Sequence, residues 1–196
     1  MFENLRADYE RHRRPGSASA SSGSSRPLGL WETLRITIQL TTWPVISYRF
    51  MRWSKDLRVP GIRQLAILLA VLLQRWTILW TGVYIHSEAV VGPGVLIESL
   101  GGVFIGPTRI GSNFTVATGV LIAGGALGVG DYVTFGPGAK LIGDTRVGNH
   151  VTVMANSLVL SNLADHVTVL GVPARRIEPE ISGLPTDEQD DGRMVM

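Results

Sequence analysis

Hydrophobic positions recur every six residues through the second half of the chain, beginning at Ile85. Each unit opens with an aliphatic or aromatic residue, and a small or β-branched residue usually stands four positions later. A helix has a period near 3.6 and an ordinary strand has a period of two, so neither element explains this pattern. A period of six sustained over about 80 residues is typical of a parallel β-helix. The openers with strict spacing are Val129, Phe135, Leu141, Val147, Val153 and Val159.

The spacing also predicts which residues meet inside the coil. Six residues at about 3.3 Å each supply one flat side and a corner, and three sides close a triangular turn. Glycines that follow the openers, such as Gly92 and Gly130, would occupy corners. Each opener then packs on the opener one turn away, which gives three inner columns. We expect these to hold Val91, Ile110, Val129 and Val147; Ile97, Val116, Phe135 and Val153; and Ile85, Ile122, Leu141 and Val159, with Val103 or Phe104 filling the gap in the third.

Residues 31–80 follow a different pattern and contain all five tryptophans. The continuous apolar run Leu65–Leu73 is shorter than the roughly 20 residues that span a bilayer, so a membrane span is not expected. Pro44 and the Pro60-Gly61 pair divide the segment into two or three helices. The favoured interpretation is a helical cap packed on its own domain or on a neighbouring subunit. The alternative is peripheral membrane contact, because Trp and Arg beside a Leu-rich surface suit the headgroup boundary.

Composition sets the remaining boundaries. Residues 1–30 are basic and serine-rich, residues 178–196 are acidic, and both are too poor in large apolar side chains to offset the entropy of ordering, so flexible tails are expected. The domain between them, residues 81–177, is neutral and lacks the basic patch of a nucleic-acid binder. The chain has no Cys, which excludes thiolate chemistry and fits a cytoplasmic protein.

Four stretches of the repeat carry a family resemblance. They are GVYIHSEAVVGPGVLI (82–97), GGVFIG (101–106), FGPGAKLIGDTRVGNHVTVMANSLV (135–159) and GVPARRI (171–177). Here the chain resembles the hexapeptide-repeat acyltransferases, and most closely their serine acetyltransferase branch. The resemblance implies a left-handed parallel β-helix preceded by a short helical segment, a homotrimer, and acetyl-CoA as the acyl donor in a groove between neighbouring helices.

The catalytic positions depart from that family. In the serine branch, a His base follows an acidic residue, whereas this chain has Glu98 at the acidic position and Ser99 at the position of the His. A second family His lies on an excursion that is absent here. Because serine cannot accept a proton near neutral pH as imidazole can, the candidate bases are His150 and Glu98. Glu98 would qualify if it is buried beside the small residues Ala117 and Gly136 of the next turns.

The remaining candidate site residues follow from the groove and the closing motif. Gly124, Gly136 and Ala139 are expected to make room for the cofactor, and the resemblance places Arg175 and Arg176 near its far end. The four His residues fall on different columns, so a zinc site with three converging imidazoles is not expected, and His86 should make a structural hydrogen bond.

Two functions remain open at this stage. The first is an acetyl-CoA-dependent O-acetyltransferase, cytoplasmic or membrane-peripheral, whose acceptor is a sugar, a polysaccharide or another hydroxyl compound. The second is a catalytically inactive β-helix scaffold or partner-binding protein, because Ser99 replaces the catalytic His of the family.

Overall fold

The computed structural model of the chain describes residues 2–13, 40–123 and 125–177. Helix α1 spans Phe2–Arg13, and a 3-10 turn at Leu40–Thr42 leads into α2 (Trp43–Lys55), which is followed by α3 (Pro60–Thr81). Both α2 and α3 carry a proline in the first turn, where the missing amide hydrogen costs no helical bond. The two helices agree with the division predicted from those prolines.

Helix α1 corrects the expectation of a flexible tail at the start of the chain. Phe2–Arg13 is helical, and both Asp8 and Arg11 are buried against the rest of the protein. The sequence pattern did not predict the packing of this helix, because the side chains that hold it against the protein are charged rather than apolar. The rest of the expected tail, residues 14–30, and the acidic end from residue 178 lie outside the described residues.

Residues 83–177 form a parallel β-solenoid of about five turns, which confirms the predicted fold class. The strands are β1 (Val83–Ile85), β2 (Val90–Val91), β3 (Leu96–Ile97), β4 (Val103–Ile105), β5 (Arg109–Ile110), β6 (Thr115–Val116), β7 (Leu121–Ile122), β8 (Gly128–Val129), β9 (Thr134–Phe135), β10 (Lys140–Leu141), β11 (Arg146–Val147), β12 (Thr152–Val153), β13 (Leu158–Val159), β14 (Thr168–Leu170) and β15 (Arg175–Ile177). One sheet contains β1, β4, β7, β10 and β13, and a second contains β2, β5, β8 and β11. The third contains β3, β6, β9, β12 and β14, and β15 pairs antiparallel with β14.

The strand register confirms the first two predicted inner columns and completes the third. Val91, Ile110, Val129 and Val147 pair in succession, as do Ile97, Val116, Phe135 and Val153. In the third column the gap is filled by Ile105, which pairs with both Ile85 and Ile122, so the expectation of Val103 or Phe104 was wrong. Alternation along β4 explains the difference, because Val103 and Ile105 point inward and Phe104 points outward onto Tyr84.

Close approach between successive turns explains the glycines at one set of corners. A Cβ atom added at Gly130 would lie 2.6 Å from the carbonyl oxygen of Gly148 in the next turn, and one at Gly92 would lie 2.6 Å from that of Gly111. Neither Gly92 nor Gly130 has a positive φ, so the requirement is space rather than backbone freedom. At this set of corners, glycine is therefore required by the close stacking of the turns.

Helix α3 presents its large apolar side chains outward. Its buried residues are the small ones, Ala66, Ala70, Thr77 and Thr81. Among the described helices it is the one that is long and apolar enough to cross a membrane, and only 17% of its apolar stretch is buried within the chain. The apolar length estimated from the sequence was too short, because it included only the continuous run Leu65–Leu73, whereas the helix extends over 22 residues. The expected cap on its own domain therefore covers only the face with small residues.

Replacing Gly130 by Ala tests the stacking. The added methyl group would meet the backbone of Gly148 as well as the Asn149 side chain, and the backbone cannot turn aside as a side chain can. We therefore expect the free energy of unfolding to fall by about 1–3 kcal/mol, as measured by urea denaturation at fixed protein concentration. Gly61→Ala is the matched control, since nothing lies within 4 Å of its added Cβ. We expect it to be neutral or stabilising by up to about 1 kcal/mol. Equal destabilisation by both variants would contradict the space requirement.

Candidate functional site

Glu98 begins a column of corner residues where the third sheet turns toward the first. The amides of Glu98, Ala117 and Gly136 donate to the carbonyls of Val116, Phe135 and Val153 at 3.0, 3.1 and 2.8 Å. These bonds place the two small residues in the turns stacked after Glu98, as predicted. We call Glu98, Ala117 and Gly136 the Glu98 corner. Ala117 is buried, and a Cβ atom added at Gly136 would lie 2.8 Å from the amide nitrogen of Ala155, so both small residues pack closely against the following turn.

The two candidate catalytic residues at this corner differ in their surroundings. The Glu98 side chain is exposed, so this single chain does not supply the burial that a desolvated base requires. The Ser99 hydroxyl oxygen accepts a hydrogen bond of 3.0 Å from the amide of Thr118 in the next turn. The Thr118 hydroxyl in turn donates to the carbonyl of Gly101 at 2.7 Å. Ser99 therefore joins two turns, while the Glu98 carboxylate remains accessible.

Sequence reasoning missed Arg11, which α1 brings to the same region. Its side chain is buried, and Nη2 donates to the hydroxyl of Thr115 at 3.2 Å, while Nε has no hydrogen-bond partner among the described residues. Burial lowers the pKa of the Arg11 guanidinium, and electrostatic attraction to Tyr132 and Glu98 opposes that lowering. Arg11 thus adds a cation near the Glu98 carboxylate. The available signal was the spacing of three between Asp8 and Arg11, which puts both on one helical face.

Asp8 fixes α1 in this position. One carboxylate oxygen accepts the amides of Gly94 and Val95 at 2.7 and 2.8 Å, and the other accepts Arg49 Nε at 3.1 Å. Burial raises the pKa of Asp8, whereas Arg49 and the two amides act in the opposite direction. The Arg49 guanidinium also donates to the carbonyl of Val91 at 2.7 Å. A single buried ion pair therefore joins α1, α2 and the first turn of the solenoid.

His150 lies on another corner, in a column of stacked rings. Its imidazole is 4.8 Å from the Tyr132 ring and 4.7 Å from the His166 ring, centroid to centroid, with interplanar angles of 4° and 7°. This shared column corrects the expectation that the His residues fall on different columns. Beside these residues, Asn149 donates to the Asp165 carboxylate from its amide at 2.8 Å and from its side chain at 3.2 Å, and these hydrogen bonds lower the pKa of Asp165.

The structure does not bring His150 to Glu98 within one chain. Glu98 follows β3 and His150 precedes β12, so the two residues lie at opposite ends of the strands of one sheet. Strands β6 and β9 lie between β3 and β12. Three turns at about 4.8 Å each separate the two residues by roughly 14 Å along the axis alone. Glu98 and Ser99 are therefore adjacent, and His150 belongs to a separate surface.

The residues expected to contact the cofactor differ in their exposure. Ala139 is fully buried inside the solenoid, which corrects its assignment as a cofactor contact, because it occupies the inward position four residues after Phe135. Gly136 is half-buried at the Glu98 corner, and Gly124 lies outside the described residues. Arg175 and Arg176 are exposed on β15 at the closing end. Separately, His86 makes the expected structural bond, its Nδ1 accepting the amide of Glu88 at 3.2 Å.

The fold matches the left-handed β-helix of hexapeptide-repeat acyltransferases, and comparisons with known proteins show the same similarity. The chain is 32% identical over 136 residues to a serine acetyltransferase of Staphylococcus xylosus, covering 65% of this chain and 63% of that protein. It is 38% identical over 120 residues to the serine acetyltransferase of Mycobacterium tuberculosis, covering 57% and 52%. The chain thus spans less than two thirds of the length of these relatives. No protein-family model matches it.

Solved structures give the same result for the fold. A serine acetyltransferase in complex with CoA superposes with a TM-score of 0.69 at 25% identity, covering 89% of this chain and 68% of that one. The serine acetyltransferase of Brucella abortus strain S19 superposes with a TM-score of 0.70 at 24% identity, covering 90% and 68%. These findings confirm the left-handed β-helix and the resemblance to hexapeptide-repeat acyltransferases of the serine acetyltransferase branch.

Replacing Asp8 by Ala tests how α1 is held. The change leaves Arg49 buried without its counter-charge, so we expect a loss of about 3–5 kcal/mol in the free energy of unfolding, measured by urea denaturation. Glu10→Ala is the control, because its 3.3 Å ion pair with Arg6 is exposed. Such a pair contributes about 0–1 kcal/mol. Similar losses for both variants would show that the buried pair does not anchor the helix.

Proposed function

We propose that this chain is an acetyl-CoA-dependent O-acetyltransferase whose acceptor is a hydroxyl group of a sugar, a polysaccharide or a lipid-linked compound rather than free serine. The observation that carries the proposal is the Glu98 corner on a solenoid similar to that of a serine acetyltransferase that binds CoA. The change of acceptor is supported by Ser99, which stands where the serine branch has its base and makes a bond between turns instead.

The donor would lie in a groove formed between copies of the chain in a homotrimer. Gly136 is half-buried at the Glu98 corner, and the exposed cations Arg175 and Arg176 suit the phosphates of CoA at the closing end. A neighbouring copy would also cover the Glu98 carboxylate, which is exposed in the single chain. Removal from water is the condition under which a carboxylate becomes an effective base.

The reaction would use Glu98 as the general base. Its carboxylate takes the proton of the acceptor hydroxyl as the oxygen attacks the thioester carbonyl carbon. The carbon–sulfur bond of the resulting tetrahedral intermediate then breaks, and the CoA thiolate leaves and takes up a proton. Arg11 would act as a positioning residue, because its buried guanidinium bonds to Thr115 in the neighbouring turn and attracts the Glu98 carboxylate electrostatically.

A specific observation favours a second candidate, a catalytically inactive scaffold. Ser99 is engaged with Thr118, and His150 lies away from Glu98 in the chain, so the described residues bring no imidazole to the corner. A solenoid of this kind would bind a partner through its flat faces without transferring an acyl group. Only a test of turnover distinguishes this candidate from an enzyme that uses a carboxylate.

The test incubates the purified full chain with acetyl-CoA and a panel of hydroxyl acceptors and follows the release of free CoA. Removal of a general base typically costs about 10²–10⁴ in rate, so we expect Glu98→Gln to lower turnover by that amount. Glu88→Gln is the matched control, because Glu88 is an exposed carboxylate on another side of the first turn. We expect His150→Ala to leave the rate within a few-fold of the unmodified chain.

Two results would overturn this assignment. Loss of turnover in His150→Ala but not in Glu98→Gln would move the base to the stacked rings. Absence of turnover with every acceptor, together with no acetyl-CoA binding by calorimetry, would favour the scaffold.

A further inference from the structure

The outer face of α3 is a continuous apolar surface that the chain itself leaves uncovered. Its large side chains recur at alternating steps of three and four, so they lie on one side of the helix. They are between 51% and 80% exposed, whereas the buried side of the same helix holds alanine and threonine. A soluble helix normally buries its large apolar residues, so this arrangement indicates that another apolar phase covers them. The residues are Ile62, Leu65, Leu69, Leu72, Trp76 and Leu79, which we call the α3 outer face.

The helical segment that carries this face has an excess of cations. Between Trp43 and Thr81 the chain has one acidic residue, Asp56. The basic residues that α2, α3 and their connection expose wholly or partly are Arg52, Lys55, Arg58, Arg63 and Arg75. An excess of positive charge in the helices that carry a Leu/Trp surface complements the negative potential of a bilayer with anionic headgroups.

The same charges argue against a second copy of the chain as the occupant. Three- and four-residue spacing also describes a coiled-coil seam, in which flanking residues of opposite charge select the partner. The flanking positions here are mainly apolar, as at Leu68, Leu73 and Trp80, and the flanking charge at Arg75 is positive. Two copies facing each other would bring like charges together and would leave apolar surface beside the seam uncovered.

The connections of α3 favour a helix that lies in the plane of the bilayer over one that crosses it. Helix α2 packs along α3 and is tied to the solenoid by the Tyr48 hydroxyl, which donates to the Ala89 carbonyl at 2.7 Å. A crossing α3 would draw the cations of α2 toward hydrocarbon. Arg63 and Arg75 are also about 18 Å apart along α3, at 1.5 Å per residue, whereas the hydrocarbon core of a bilayer is about 30 Å thick. A crossing helix could therefore not place both arginines in the two headgroup layers.

We propose that the α3 outer face docks in the plane of an anionic lipid bilayer, with the leucines at the acyl boundary and the exposed cations of α2, α3 and their connection attracted to the headgroups. The neighbouring rings of Trp76 and Trp80, 5.8 Å apart, lie at headgroup depth in this arrangement. The solenoid begins directly after α3, at Val83, and is therefore held close to the membrane surface. This inference does not depend on acetyl transfer and applies equally to a scaffold.

The experiment is flotation of the full chain with vesicles of phosphatidylcholine, with and without phosphatidylglycerol. We expect flotation with the anionic vesicles that weakens with added salt. The double variant Leu69→Glu/Leu72→Glu should reduce the bound fraction by about tenfold or more, because it replaces two large apolar contacts with carboxylates that anionic headgroups repel. The matched control is Leu127→Glu/Leu160→Glu, at positions 56% and 54% exposed on the solenoid, which should float like the unmodified chain.

Each alternative has its own readout. All variants change exposed side chains, and circular dichroism verifies that they remain folded. Equal flotation of the two double variants would overturn the proposal, because the α3 outer face would not be the contact. Equal binding to both kinds of vesicle, unaffected by salt, would overturn the choice of anionic lipid. No flotation, combined with a smaller oligomer for Leu69→Glu/Leu72→Glu in sedimentation velocity, would assign the face to a second copy.

Discussion

The stacking of one turn of the solenoid directly on the next is the constraint on which the rest of the structure depends. A Cβ atom at Gly130 would lie 2.6 Å from the backbone of the next turn, so at this set of corners the chain can follow its path only where the residue has no side chain. The pairing of strands in successive turns fixes the columns. Once Ile97 lies over Val116 and Phe135, the residues that follow them, Glu98, Ala117 and Gly136, must share a corner. The site is therefore a product of register rather than of a separate loop.

Register also explains which parts of the fold could be predicted from the sequence. Inward positions repeat every six residues, so two inner columns followed from the spacing alone. The third required Ile105, because the connection between β1 and β4 is longer than the other repeats and shifts the count. The stack of His150 on His166 was missed for a similar reason. The last turn is shorter, and counting from the openers placed His166 in the closing turn instead of beneath His150.

Helices α2 and α3 were predicted from their prolines, but the way the helices pack could not be predicted from apolar periodicity. Buried polar contacts hold α1, and the large apolar side chains of α3 face outward. Helix α1 is held by Asp8 and its partners Arg49, Gly94 and Val95, and a buried carboxylate of this kind gives no hydrophobic signal. In α3 the pattern is present but reversed, with alanine and threonine facing inward. Arg11 could not be predicted as a site residue for the same reason, because its position beside Thr115 depends on the docking of α1. The candidate site thus combines a predictable corner with a cation that only the folded structure supplies.

The central claim is that the groove beside the Glu98 corner holds the acyl donor although no imidazole stands at the position of the family base. Hydrogen–deuterium exchange of the full chain with and without acetyl-CoA measures this most directly. The predicted result is slower exchange in peptides that contain Ala117, Gly136 and the closing strand Arg175–Ile177, with little change in α3. Unchanged exchange throughout the solenoid at saturating acetyl-CoA would contradict the claim.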